Sequence, residues 1–269
     1  MGDLHAQEPP QALRFRAPPA GQPGVGRADQ PGLDRKGLGQ SGGQGAARRG
    51  HGRGRQPVKP SLHVVPVGPL QCNCSILVDE DSREAVVIDP GDEPAKILVA
   101  LANARAKPVA LLHTHAHFDH IGGTSELRRV TAAPIRLHPA DRFLYDALPK
   151  QAALFGQSAE EPLPPDDGLT DGETIAFGAF TIRAIHTPGH TPGSTCFLLD
   201  GEVPILFSGD TLFRRSIGRT DLWGGDTEQI LVSIREKLYT LSPATRVVCG
   251  HGPDTTIGEE RRENPFVKG

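Results

Sequence analysis

The seven residues Thr114-His115-Ala116-His117-Phe118-Asp119-His120 constrain this chain more than any other feature. They follow directly on Val109-Ala110-Leu111-Leu112, a short and wholly apolar run that reads as a strand buried on both faces. Four potential ligands lie within six residues at the exit of that strand. A strand leading into a loop aims His115 and His117 together, and a tighter turn beyond aims Asp119 and His120 elsewhere. The spacing suits two adjacent metal ions. Neutral imidazole and carboxylate are ligands for zinc, iron or manganese, whereas paired thiolates would signal a structural zinc site.

Three further segments repeat the arrangement. His186-Thr187-Pro188-Gly189-His190-Thr191-Pro192-Gly193-Ser194 follows a strand expected over 180–186. Ser208-Gly209-Asp210-Thr211 follows one over 204–208, and Cys249-Gly250-His251-Gly252 follows one over 246–249. Each sets one ligand-type residue beside Gly or Pro just past a strand end, where a sharp turn holds a side chain in place. Strand ends gathered on one edge of a sheet sandwich form a shallow pocket.

The remaining pattern supplies the layers. Strands are expected at 62–67, 74–78, 85–88, 173–177 and 195–200. Helices are expected at 93–106, 123–130, 140–147 and 227–241, the last with Asp226 as N-cap and Ile230, Leu231, Ile234, Leu238 and Leu241 on one face. Residues 148–172, rich in Pro, Asp and Gly, read as a surface excursion. Two packed sheets with helices outside suit this order.

The motifs THAHFDH at 114–120, TPGHTPGS at 187–194, GDTLF at 209–213, GRTD at 218–221 and GHGPDTTIGEER at 250–261 resemble the metallo-β-lactamase superfamily. Within it, the likeness is to short glyoxalase II-like (hydroxyacylglutathione hydrolase) enzymes, over residues 62–266. The resemblance implies an α+β fold, a four-layer αββα sandwich. It implies a first metal site of His115, His117 and His190, a second of Asp119, His120 and His251, and Asp210 bridging the two. The implied cofactors are two divalent metal ions, zinc first, with iron or manganese as alternatives. The implied reaction is hydrolysis of a small-molecule thioester such as S-lactoylglutathione by a hydroxide held between the ions. Asp119 then both binds metal and acts catalytically by orienting that hydroxide.

Longer glyoxalase II enzymes carry a C-terminal helical domain that supplies much of the glutathione site. Only 18 residues follow His251, so the expectation is retained metal chemistry with its own acyl and thiol specificity. An alternative from the same superfamily is a persulfide dioxygenase with one iron on the equivalents of His115, His190 and Asp210. That family tends to place an aromatic and an amide after the GRTD aspartate, where this chain has Leu222-Trp223. Nucleic-acid processing members need an inserted cap domain, and 148–172 is too short for one. A non-catalytic binding module fits poorly with a full ligand set.

Composition sets the boundaries. Residues 1–60 hold 10 Lys and Arg against 4 Asp and Glu, with 13 Gly, 8 Pro and only eight large apolar residues. So little apolar surface cannot offset the entropy of ordering, so a disordered extension is expected at 1–60 and the hydrolase domain at 61–269. The domain carries a net charge of −9, which opposes phosphate binding and points away from nucleic acid. No apolar run approaches the roughly 18 residues of a membrane helix, and no secretory h-region is visible. Four scattered cysteines suggest buried thiols in a reducing cytoplasm. Oligomeric state is left open.

Several residues have plainer readings. His113 fits core packing better than ligation, His186 a structural hydrogen bond, and His138 the surface. Asp89 either orients a ligand histidine or simply ends a turn. In the basic loop 214–219, Arg219 either meets an anionic substrate or pairs with Asp221. Cys249 points into the sheet core by alternation.

Overall fold

The computed structural model describes residues 59–269. The expected extension at 1–60 therefore lies almost wholly outside the described residues.

The first sheet runs in chain order from β1 (Ser61–Val67) through β2 (Cys72–Val78), β3 (Glu84–Ile88), β4 (Lys107–Leu112) and β5 (Ile135–Leu137) to β6 (Asp167–Gly168). β1, β2 and β3 pair antiparallel, and β3 to β6 pair parallel. The parallel part needs crossovers, which α1 (Pro94–Asn103), the short α2 (Phe118–Ile121) and α3 (Thr124–Thr131) provide, with α4 (Arg142–Asp146) and α5 (Leu148–Leu154) following β5.

The second sheet contains β7 (Thr174–Phe177), β8 (Phe180–His186), β9 (Thr195–Leu199) and β10 (Ile205–Gly209), which pair antiparallel in sequence. After a small hairpin of β11 (Leu212–Phe213) and β12 (Ser216–Ile217) comes α6 (Thr227–Ser233). Then β13 (Arg246–Cys249) joins β10 in parallel, β14 (Thr255–Thr256) closes the edge and α7 (Ile257–Glu263) follows.

Alternation along the strands builds three apolar layers. In β3, Val86 and Ile88 face the second sheet, where they meet Phe197, Leu199, Phe207 and Val248. Ala85 and Val87 face the other way, onto Ile97, Leu101 and Leu127 of the flanking helices. In β9, Cys196 and Leu198 pack outward against Ile230, Ile234 and Leu238. Sheets buried on both faces read as continuous apolar runs because each side of the pleat needs its own cover. The result is the αββα sandwich. Among the described residues no helix is long and apolar enough to cross a membrane.

Several elements differ from expectation, among them the two-residue strands β6, β11, β12 and β14. β5 is only three residues and lies between two helices, so its pattern is too short to register. The stretch 148–172 begins with α5, whose Leu148 and Ala152 are buried, before it becomes irregular. The helix expected at 227–241 is α-helical only to Ser233, and Ile234–Leu238 widens into a π turn. Ile230, Ile234 and Leu238 still share the buried face, so the wider turn leaves the packing stripe intact.

Candidate metal centre

All seven side chains singled out as ligands meet at one rim of the sandwich. His115 and His117 lie in the loop after β4, and Asp119 and His120 in α2. His190 sits between β8 and β9, Asp210 just after β10 and His251 just after β13. Backbone bonds stitch the two sheets together there: Thr195 N–H donates to the Thr114 carbonyl (2.7 Å) and Asn73 N–H to the Gly250 carbonyl (2.8 Å). Gly250 is required by contact, because a Cβ there would lie 2.2 Å from Asp210 Oδ1.

Three overlapping groups offer ligand atoms within 4.8 Å of one another: His115, His117 and His190; His115, His120 and Asp210; and Asp119, His120 and His251. His190 Nε2 is 2.9 Å from His117 Nδ1 and 3.3 Å from His115 Nε2. His120 Nε2 is 3.1 Å from His251 Nε2, which is 3.1 Å from Asp119 Oδ2. Asp210 faces both sides, with Oδ1 3.4 Å from His120 Nε2 and Oδ2 3.7 Å from His190 Nε2.

The ring protons are already placed elsewhere. His190 Nδ1 donates to the Arg219 carbonyl (2.7 Å) and His251 Nδ1 to the Leu70 carbonyl (2.9 Å), acceptors that cannot donate in return. His120 Nδ1 donates to Asp89 Oδ2 (3.0 Å). Thr114 Oγ1 donates to that same Asp89 oxygen (2.8 Å), so it accepts from His115 Nδ1 (3.0 Å). The Nε2 atoms of these four rings are therefore the ones turned inward: His190 faces His115 at 3.3 Å and His120 faces His251 at 3.1 Å, and each such pair needs a proton or a metal ion between its nitrogens. Tetrahedral coordination with metal–nitrogen bonds of about 2.0–2.1 Å sets neighbouring ligands on the order of 3.3 Å apart. Asp210 Oδ1 is buried with no hydrogen-bond partner. Inward-facing ring nitrogens, this orphaned carboxylate oxygen and the all-nitrogen-and-oxygen donor set fit divalent metal ions.

Electrostatics divide the cluster. Burial, reinforced by the neighbouring imidazoles, pushes His115 far below the ordinary histidine range. Burial and His190 bring His117 down to about 3. Both rings are neutral near pH 7 and open to a cation. For His251 burial acts downward, but the Asp119 hydrogen bond and the Asp210 charge outweigh it and raise the pKa. Burial pushes the Asp210 carboxyl up, yet His120, His190 and His251 hold it well below the usual carboxylate range.

The other singled-out residues have definite places. Asp89 orients His120 and also accepts from Thr114 N–H (2.7 Å). His113 is a packed core residue, bonded to Thr124 Oγ1 (2.8 Å). His186 bonds to the Pro192 carbonyl through Nε2 (2.8 Å). His138 is half-buried rather than free at the surface, because its ring stacks on His186 at 4.0 Å. Arg219 pairs with Asp221 through two contacts of 2.7 Å. Cys249 lies in the core behind the second sheet. Cys72 lies 3.5 Å from His120 Nδ1, but burial pushes its thiol up to about 12, so it stays protonated.

Sequence reasoning missed Asp141. This buried carboxylate accepts from Ala116 N–H (3.0 Å), Thr191 Oγ1 (2.8 Å) and Gly193 N–H (2.6 Å). It thereby ties the His115–His117 loop to the His190 loop. Two of its three partners are backbone amides, which leave no residue-type signal.

Residues 67–251 match the family model described as the metallo-beta-lactamase superfamily. The hydroxyacylglutathione hydrolase GloC of Haemophilus influenzae is 37% identical over 209 residues, covering 77% of this chain and 98% of that protein. The crystal structure of TTHA1623 in a di-iron-bound form is 41% identical with a TM-score of 0.69, over 76% of this chain and 100% of the other. The BLEG-1 B3 metallo-beta-lactamase structure is 42% identical with a TM-score of 0.72, over 78% of this chain and 100% of the other.

Proposed function

This chain belongs to the metallo-beta-lactamase superfamily, and from that premise we propose that it is a binuclear thioester hydrolase acting on a small-molecule substrate. The observation that carries the reading is the convergence of five imidazoles and two carboxylates whose ligand atoms lie within 4.8 Å of one another in three overlapping groups, with Asp210 Oδ1 unpartnered. His115, His117 and His190 would hold one ion, Asp119, His120 and His251 the other, and Asp210 both. We take zinc as the first candidate, with iron or manganese accepted by the same donors. Bound divalent ions supply Lewis acidity and lower the pKa of water toward neutrality.

The chain's own residues do the rest. Asp119 lines the cleft at the cluster, where its carboxylate can orient a water molecule and hold its proton. Imidazoles fixed through Nδ1 keep their Nε2 atoms in place during turnover, which limits reorganisation as charge develops. A thiolate leaves without help from a strong acid, and no general acid beyond Asp119 is needed. Four free, buried cysteines favour a reducing cytoplasm as the working compartment.

The test combines metal analysis with turnover on one sample. We expect two divalent ions per chain and hydrolysis of S-lactoylglutathione that disappears on chelation and returns on metal addition. A single iron with sulfite formed from a persulfide would replace this reading with the dioxygenase one. The resemblance to GloC supports the thioester over a β-lactam, which serves as the control substrate.

A further inference from the structure

The cleft beside the cluster has walls of unusual chemistry. It is lined by Leu70, Phe118, Leu154, Phe155, Leu222 and Trp223 in addition to the polar cluster. Four of these are large apolar side chains left open to solvent: Leu154 (72% exposed), Phe155 (50%), Trp223 (49%) and Leu70 (46%). Phe118 and Phe155 stack with ring centres 4.6 Å apart, forming a flat wall next to Asp119. Apolar surface gathered around a polar centre marks a binding site rather than chance exposure.

Charge points the same way. Arg219 is the sole lysine or arginine lining the cleft among the described residues. Its Nε and Nη2 are both matched by the Asp221 carboxylate at 2.7 Å. Among the described residues, the cleft wall therefore offers the carboxylates of a peptide-like thiol no lysine or arginine that is not already paired. The cavity itself measures about 190 Å³, below the roughly 300–1,000 Å³ of sites that enclose a whole small molecule. It has room for one arm of a substrate, the smaller one.

We propose that this cleft selects thioesters by a short, uncharged, apolar acyl arm laid against Trp223, Leu154 and Phe155, and that it does not read the thiol arm through charge. The inference rests on the thioesterase reading and adds the substrate class to it.

The experiment measures kcat/KM of the metal-replete full chain on acetyl, butyryl and hexanoyl thioesters of N-acetylcysteamine, a neutral thiol, and on the same acyl groups carried by glutathione. The expected result is a rise of about threefold to fourfold per added methylene until the cavity fills. Transfer of a given acyl group to glutathione should leave the value essentially unchanged. Trp223→Ala and Leu154→Ala should lower the hexanoyl-to-acetyl ratio, with bound metal per chain equal to the parent. The ratio is read within one preparation, so partial misfolding does not imitate the effect. A flat or falling series, or a strong preference for glutathione over N-acetylcysteamine, overturns the proposal while leaving thioesterase function standing. Failure to hydrolyse any thioester in metal-replete protein overturns both.

Discussion

Asp89 shows how one buried carboxylate fixes several groups at once. Its Oδ1 accepts from Thr114 N–H, and its Oδ2 accepts from both Thr114 Oγ1 and His120 Nδ1. Thr114 passes the constraint on to His115. An asparagine has one acceptor oxygen where the aspartate has two, so Asp89→Asn sets an amide N–H against the His120 Nδ1–H. One of them must turn away, and the His120 ring loses its orientation. We expect metal affinity to fall by about 10- to 100-fold, the usual cost of losing the partner that orients a ligand. Competition against a chromogenic chelator measures it, and unchanged affinity would reduce Asp89 to a packing role. The ligands themselves were legible because four of them crowd into six residues at one strand exit and the other three each sit beside a glycine just past a strand end. The groups that aim them were less so. Asp89 could be suspected from its place after a strand, but Asp141 and the carbonyls of Leu70 and Arg219 act through backbone atoms that no residue code reveals.

At the scale of elements, the strands announced themselves because both faces of each central strand are buried, so that Val86 and Val87 serve different layers yet read as one apolar run. β5, three residues long, and the π turn at Ile234–Leu238 depend on tertiary packing and carry no local signature. The stacked pair of His138, after β5, and His186, at the end of β8, is a contact of the same tertiary kind, joining one sheet to the other. Burial, with the adjacent His186, lowers the His138 pKa to about 4. The unfolded chain binds that proton near 6.5 and the folded one only near 4. Stability from this group is therefore complete above 6.5, declines as pH falls from 6.5 to 4, and is constant below. His138→Phe keeps an aromatic face and removes the titration. Urea midpoints at pH 7.5, 5.5 and 4.5 should show the variant gaining on the parent across that window. Comparing the two cancels the larger contributions of His115 and His117. A constant offset between them at all three values would show that His138 titrates normally.

At the scale of the whole molecule, the candidate centre sits on the seam between the two sheets. Four of its side chains, His115, His117, Asp119 and His120, follow β4 of the first sheet. The other three, His190, Asp210 and His251, follow β8, β10 and β13 of the second. An ion shared by His115, His117 and His190 therefore links both halves of the sandwich, because those nitrogens already face one another at 2.9 and 3.3 Å. Ions that bind only the folded chain raise its stability by about 2.7 kcal/mol at a hundredfold excess over Kd. For a domain of this size each kcal/mol moves Tm by roughly 2–4 °C. Chelation should then lower Tm by roughly 5–10 °C, and titrating metal back should raise it progressively rather than in one step to a fixed value. Scanning calorimetry over a range of free metal concentrations reads this directly. A Tm indifferent to metal would mean that the two sheets hold the rim unaided, and that the inward-facing nitrogens are relieved by protons, with His120, whose pKa the surrounding carboxylates raise well above the ordinary histidine range, the first to take one and His251 beside Asp119 next.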